Sequence, residues 1–213
     1  YLILMKFLII SDFELNKTKL KLAFIVLISS FFIETLGANT MIIDDINRSN
    51  STSEQKDFCE ETTIRWCFVT DKVMGGVSEG ELELKSDNDL PYYNMQGNVS
   101  TENNGGFIQF RTQIQNHPKN KLFDGIRIKV RGNNEEYAIH VRTKYLFLPW
   151  QYYEATFQAN DDWKTIEIPF KNFKKSNFYQ PSSVSSIDIE TIGVVAIGRD
   201  FKANIDLAFI ELY

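Results

Sequence analysis

The chain has 213 residues, 14% of them aromatic, with 28 acidic against 23 basic side chains and a net charge of -5. That balance argues against a nucleic-acid partner held by phosphate neutralisation, which needs a basic face. Seventeen Phe and nine Tyr suit the half-buried surfaces of strands, so the composition leans towards β.

The chain opens on Tyr1 rather than a methionine, which reads as a fragment or an over-extended translation. Lys17, Lys19 and Lys21 then precede an apolar run, Leu22 to Ile33. Its length matches the apolar centre of a signal peptide and is short for a membrane span. Residues 1–38 are expected to be an N-terminal extension with a signal peptide or membrane anchor, and residues 39–213 one folded domain. Basic residues before the run keep that end in the cytoplasm, so the domain is expected to be exported across a membrane or anchored to it, in a periplasmic or extracytoplasmic setting. A mitochondrial presequence fits less well: such segments are Arg-rich and acid-poor, and this one carries Asp12, Glu14 and no Arg.

Asn47 to Lys56 is polar and rich in Ser and Asn, a loop or linker composition. Cys59 and Cys67 are the chain's two cysteines, and an exported protein allows a disulfide between them. One extended strand would hold their Cα atoms more than about 20 Å apart, so a bridge requires a turn near Glu60 to Thr63. Bridged cysteines and two free thiols both remain open. Scattered His and Cys with no ligand-type spacing imply no metal site.

Two glycine pairs follow, in Val73-Met74-Gly75-Gly76-Val77-Ser78 and Asn103-Asn104-Gly105-Gly106-Phe107. Each lies between alternating runs and marks a tight corner. Gly76-Val77-Ser78-Glu79-Gly80 satisfies the nucleophile-elbow pattern of hydrolases. An elbow needs a helix after the serine, however, and Glu81 to Lys85 alternates like a strand. Ser78 is instead expected to bond local backbone, so that Ser78→Ala costs little. No Gly-x-Gly-x-x-Gly stands between a strand and a helix, so no NAD site and no other cofactor is expected.

Strand patterns recur over Tyr93 to Val99, Phe107 to Thr112, Ile126 to Arg131, Tyr137 to Thr143, Glu154 to Phe157, Thr165 to Phe170, Ile192 to Ile197 and Ile205 to Leu212. Turn signals stand at Gly132-Asn133-Asn134 and Asn160-Asp161-Asp162. Many short strands with regular turns predict an all-β sandwich, a jelly roll with Pro169 at a strand end or edge.

Two candidate surfaces emerge. At the glycine pairs, Asp71 is placed to accept hydrogen bonds from glycine amides or to pair with Arg111, which is a structural use. The functional alternative is a polar patch of Asp71, Ser78, Asn103, Asn104 and Arg111, together with Met74, Gly75, Gly76, Gly105 and Gly106, that receives a partner or ligand. If Phe107 points inward, alternation places Gln109 and Arg111 on its face and buries Arg111 with an acidic partner. The second surface is the aromatic run Tyr145 to Tyr153, where Trp150, Tyr152 and Tyr153 are placed to form a platform for sugar rings or a protein anchor. Core packing across a hairpin is the commoner use of such a run, and local alternation does not decide which rings face out.

Trp66 to Gly80, Gly97 to Ser100, Asn103 to Phe107 with Arg111, and Trp163 to Phe173 together resemble the complex I intermediate-associated protein 30 family. The likeness runs from about Ile43 to the C-terminus, and the Trp163 to Phe170 segment is shared more widely with jelly-roll carbohydrate-binding modules. The resemblance implies a galactose-binding-like β-sandwich and a non-enzymatic role as an assembly factor or chaperone for a membrane respiratory complex, with complex I subunits as protein partners. The alternative is an exported carbohydrate- or small-ligand-binding sandwich. An enzyme would need converging titratable groups that the sequence does not assemble.

Overall fold

The computed structural model describes residues 39–46, 65–114, 117–118 and 120–213. The expected signal or anchor segment, the linker and Cys59 lie outside the described residues. Among the described residues twelve strands run in chain order: β1 Met41–Asp45, β2 Cys67–Thr70, β3 Glu79–Asp87, β4 Leu90–Val99, β5 Phe107–Gln113, β6 Gly125–Gly132, β7 Glu135–Thr143, β8 Tyr153–Ala159, β9 Lys164–Pro169, β10 Lys174–Lys175, β11 Ile189–Ile197 and β12 Phe201–Leu212. They form two antiparallel sheets. The first has the order β3-β4-β12-β6-β9, with β1 also paired to β12, and the second the order β10-β8-β7-β11-β5-β2. Neighbours that are distant in sequence, such as β12 between β4 and β6, give the jelly-roll sandwich that the alternating runs predict.

Strict alternation is what lets each sheet put one face inside. In β5, Ile108, Phe110 and Thr112 are buried while Phe107, Gln109 and Arg111 are only partly covered. Phe107 therefore shares a face with Gln109 and Arg111, as alternation requires, but that face is the outer one. Between the sheets, Trp66 is fully buried, with Phe110 edge-on at 5.1 Å and its indole N–H donating to the Asp44 carboxylate at 2.7 Å. The Tyr137 hydroxyl crosses from the second sheet to accept from the Asn204 N–H of β12 at 2.9 Å, and burial pushes its pKa up to about 12.

Corners follow the turn signals. Asn88 and Asp89 take φ of 49° and 64° and make a two-residue hairpin between β3 and β4, the left-handed geometry such short loops demand. Asn134 has a φ of 61° between β6 and β7. Pro169 ends β9, an edge strand of the first sheet, where its missing N–H leaves no ladder bond unmade.

Candidate functional site

The two glycine pairs meet around one carboxylate. Asp71 opens a short 3-10 turn, Asp71–Met74, whose Thr70 hydroxyl caps the Lys72 N–H. Its side chain has no exposed surface. Oδ1 accepts from the Ser78 N–H at 2.9 Å, and Oδ2 accepts from the Ser78 hydroxyl at 2.5 Å, the Gly106 N–H at 2.5 Å and the Phe107 N–H at 3.3 Å. Burial pushes the Asp71 pKa up. The bonds from Gly106, Ser78 and Phe107 outweigh it and hold the carboxyl below its ordinary value.

Each pair divides its labour. Gly75 and Gly106 take φ of 93° and 123°, backbone that side chains rarely adopt. Gly76 and Gly105 have ordinary φ, but a Cβ on either would collide with the Asp71 carboxylate. The Ser78 hydroxyl donates a hydrogen bond to Asp71 and accepts one from the Ser100 N–H at 3.0 Å, with no exposed surface. Its partner is thus a buried carboxylate, and the expectation that Ser78→Ala costs little gives way to a substantial loss. The strand β3 follows Ser78 directly, so no elbow forms. Met74, Asn103 and Asn104 stand exposed on the rim of this clasp. Beside it an open groove of 710 Å³ is lined by Thr70, Lys72, Glu79, Glu81, Gln96, Asn98 and Lys202. Lys72 pairs with Glu79 at 2.8 Å and Gln96 donates to Glu81 at 2.6 Å, so these groups are engaged with one another.

Arg111 leaves the clasp. Strand register aligns Cys67, Arg111, Gly193, His140, Glu154 and Lys174 across the outer face of the second sheet. Gly193 stands between Arg111 and His140, whose backbones lie about 10 Å apart, two strand spacings. Gln109 leans towards Gly193 from the adjoining row. His140 Nε2 lies 2.9 Å from Glu154 Oε2, and the Tyr152 ring stacks on the imidazole at 3.9 Å and 12°. The hydrogen bond from His140 holds the Glu154 carboxyl below its ordinary pKa despite burial. Burial and the nearby Arg111 charge lower the Arg142 pKa, against a smaller raising influence of Glu190. Arg111, His140, Arg142, Tyr152 and Glu154 are all half-buried.

Arg142 links this face to the aromatic run. Its guanidinium donates to the carbonyls of Leu148 and Pro149 at 2.9 Å, of Leu146 at 3.0 Å, and of Gln151. The Gln151 side chain in turn accepts from the Leu148 N–H at 3.1 Å. A guanidinium presents several donors in a fixed fork, which suits a row of carbonyls. Leu146 and Tyr153 turn into the core, while Tyr145, Phe147, Leu148 and Trp150 face solvent. The core packing usual for such a run is therefore confined to its two apolar ends. The loop after β10 adjoins it: Ser176 N–H donates to the Tyr152 carbonyl at 2.9 Å and its hydroxyl accepts from the Tyr152 N–H at 3.0 Å.

The sequence thus grouped Arg111 with the wrong neighbours. Asp71, Ser78, Gly76, Gly105 and Gly106 come together, whereas Arg111 stands in the row of His140, on which Tyr152 stacks, with Trp150 at the adjoining end. His140, Arg142 and Glu154 were missed as members of this face. The signal was present, because the buried Tyr137, Ile139, Val141 and Thr143 put Ala138, His140 and Arg142 on the opposite side of β7. Cys67 is disulfide-bonded, and Cys59 lies outside the described residues. Among the described residues, no group of three or more His, Cys, Asp or Glu side chains is arranged to hold a metal ion.

Comparison with known proteins adds two findings. The family described as Complex I intermediate-associated protein 30 matches residues 54–206. In solved structures, the family 11 carbohydrate-binding module of a cellulosomal cellulase of Clostridium thermocellum is similar, with 15% identity, a TM-score of 0.60, and coverage of 82% of this chain and 94% of that one. A structure of a family 11 module from the same organism in complex with a β-1,3-1,4-mixed-linked tetrasaccharide has 15% identity and a TM-score of 0.58, covering 81% and 94%. A family 30 module of another cellulosomal cellulase of Clostridium thermocellum has 12% identity and a TM-score of 0.51, covering 82% and 97%. At such identities the likeness is one of fold. No curated protein sequence matches the chain.

Proposed function

The chain belongs to the complex I intermediate-associated protein 30 family, and we propose that it is a non-catalytic interaction module that assists assembly of a membrane respiratory complex. Its working surface is the outer face of the second sheet. The observation that carries this reading is the row of Arg111, His140 and Glu154 with the Tyr152 ring stacked at its edge. Beside Arg111, the bonded His140–Glu154 pair and the Tyr152 ring present an imidazole edge, a carboxylate and an aromatic face at this half-buried surface. A rigid sheet presents them without the entropy cost of ordering loops. The glycine end supports the assignment by contrast, since Asp71 and Ser78 have no exposed surface, whereas the groups of this row are half-buried.

Affinity purification of the tagged full chain from its own host's membranes, after mild crosslinking, tests the reading. Complex I subunits should follow the parent and be lost with Tyr152→Ala and Gln109→Ala, while both variants keep the parent's melting temperature within a few degrees. Undiminished recovery with both variants overturns the placement on this face, and recovery of no respiratory subunit overturns the assembly role.

A second reading, carbohydrate binding on the same face, is favoured by one observation. Trp150 is 59% exposed beside the half-buried Tyr152, and stacking rings next to hydrogen-bonding side chains are what a sugar site needs. Titration of soluble glucans against the parent and Trp150→Ala decides between the two: saturable binding lost in the variant selects the sugar reading.

A further inference from the structure

The aromatic end carries a feature that partner or sugar binding on the sheet face leaves unused. Phe147 is 84%, Phe178 84% and Tyr179 89% exposed, the highest exposures among the large apolar side chains described. They stand on two loops, residues 144–152 and 176–185, tied together through Ser176 and by Gln180, whose side-chain amide donates to the Tyr152 carbonyl at 2.9 Å. Arg142 holds the first loop from beneath, and Lys175 holds the second by donating to the Phe178 carbonyl at 2.9 Å with its ammonium 5.2 Å from the Phe178 ring. These rings are thus displayed on bonded backbone.

The charge on the two loops and the segments that flank them is one-sided. Residues 144–153 and 168–187 contain Lys144, Lys171, Lys174 and Lys175 and no Asp or Glu, in a chain whose acids outnumber its bases 28 to 23. Lys144 pairs with Asp188 at 2.6 Å at the margin, Lys174 faces Glu154 across the β10–β8 ladder, and Lys171 and Lys174 are exposed. Protein interfaces enrich aromatic residues but deplete lysine, whereas a bilayer surface favours both: rings sit at the headgroup level, and lysine is drawn to anionic lipid.

We infer that the two aromatic loops dock the domain onto an anionic lipid bilayer, with Phe147, Trp150, Phe178 and Tyr179 entering the headgroup region and Lys171 and Lys174 meeting lipid phosphates. Lys174 also ends the row that runs through Glu154 and His140, so the docked loops adjoin the outer face of the second sheet. The docking does not depend on what that face binds.

Quenching of Trp150 by brominated lipid tests this in the full chain. Trp66 is buried and Trp163 half-buried, so Trp150→Phe supplies the background signal of both. With vesicles of brominated phosphatidylcholine and phosphatidylglycerol, the parent should be quenched and Trp150→Phe should lose that quenching. Phe147→Ser combined with Tyr179→Ser should abolish it, as should Lys171→Glu combined with Lys174→Glu, and high salt should weaken it as the Debye length shrinks from about 10 Å at 0.1 M to about 3 Å at 1 M. Equal quenching in parent and Trp150→Phe overturns the inference. Shielding of Trp150 by host membrane proteins but never by protein-free vesicles overturns it in favour of a protein interface.

Discussion

The glycine-pair end and the aromatic end of this sandwich both carry residue types that attract functional readings, yet they use them oppositely. At the glycine end, Asp71 and Ser78 face inward and spend their hydrogen bonds on each other and on Gly106, Phe107 and Ser100. At the aromatic end, Arg142 spends its bonds on the carbonyls of a loop whose rings remain in solvent. A buried polar group with every partner inside the fold stabilises the fold. A polar group that rigidifies an exposed surface prepares that surface for something else.

The largest expected effect that would break this contrast is at Asp71. Asp71→Ala leaves several buried N–H groups without an acceptor and should cost about 3–5 kcal/mol, a fall in Tm of roughly 10 °C. Because the folded pKa of Asp71 lies below its reference value of 3.8, the ionised carboxylate contributes stability that is fully present above that reference. The contribution is lost as pH falls through the lower folded value, so the gap between parent and variant, read by denaturant melts, should narrow in acid. Next comes Ser78→Ala, which removes a hydrogen bond to a charged group and should cost about 1.5–3 kcal/mol in the same melts. Arg142→Ala should cost a similar or smaller amount globally but should raise amide exchange across Leu146 to Tyr152, sharpening the distinction between a clasp and a support. Smallest is Phe147→Ser, within about 0.5 kcal/mol of the parent, since the ring buries little.

Much of this molecule was legible in its sequence. Alternation in β5, β6, β8 and β9 marked the strands because each has one wetter and one drier face. The strands that escaped are short or irregular. β1 breaks its period at a bulge between Ile42 and Asp44, β2 has four residues and β10 two lysines. Both glycine pairs read as corners, which they are. That the second kind of glycine is required by a carboxylate was illegible, because Asp71 reaches Gly105 and Gly106 only through the three-dimensional meeting of two turns. Arg111 was misgrouped for a related reason: proximity in sequence to Gly106 suggested the clasp, while strand parity sends its side chain to the outer face. In the Tyr145 to Tyr153 run the backbone follows no strand period, so which rings face out is decided by Arg142 from another strand.

The most direct test of the account is hydrogen–deuterium exchange of the full chain, alone and captured on its own host's membranes. The account predicts added protection in residues 107–113, 137–143 and 144–158, with residues 71–78 and 101–106 already protected and unchanged. New protection confined to residues 71–78 and 101–106 would contradict it and return the working surface to the glycine end.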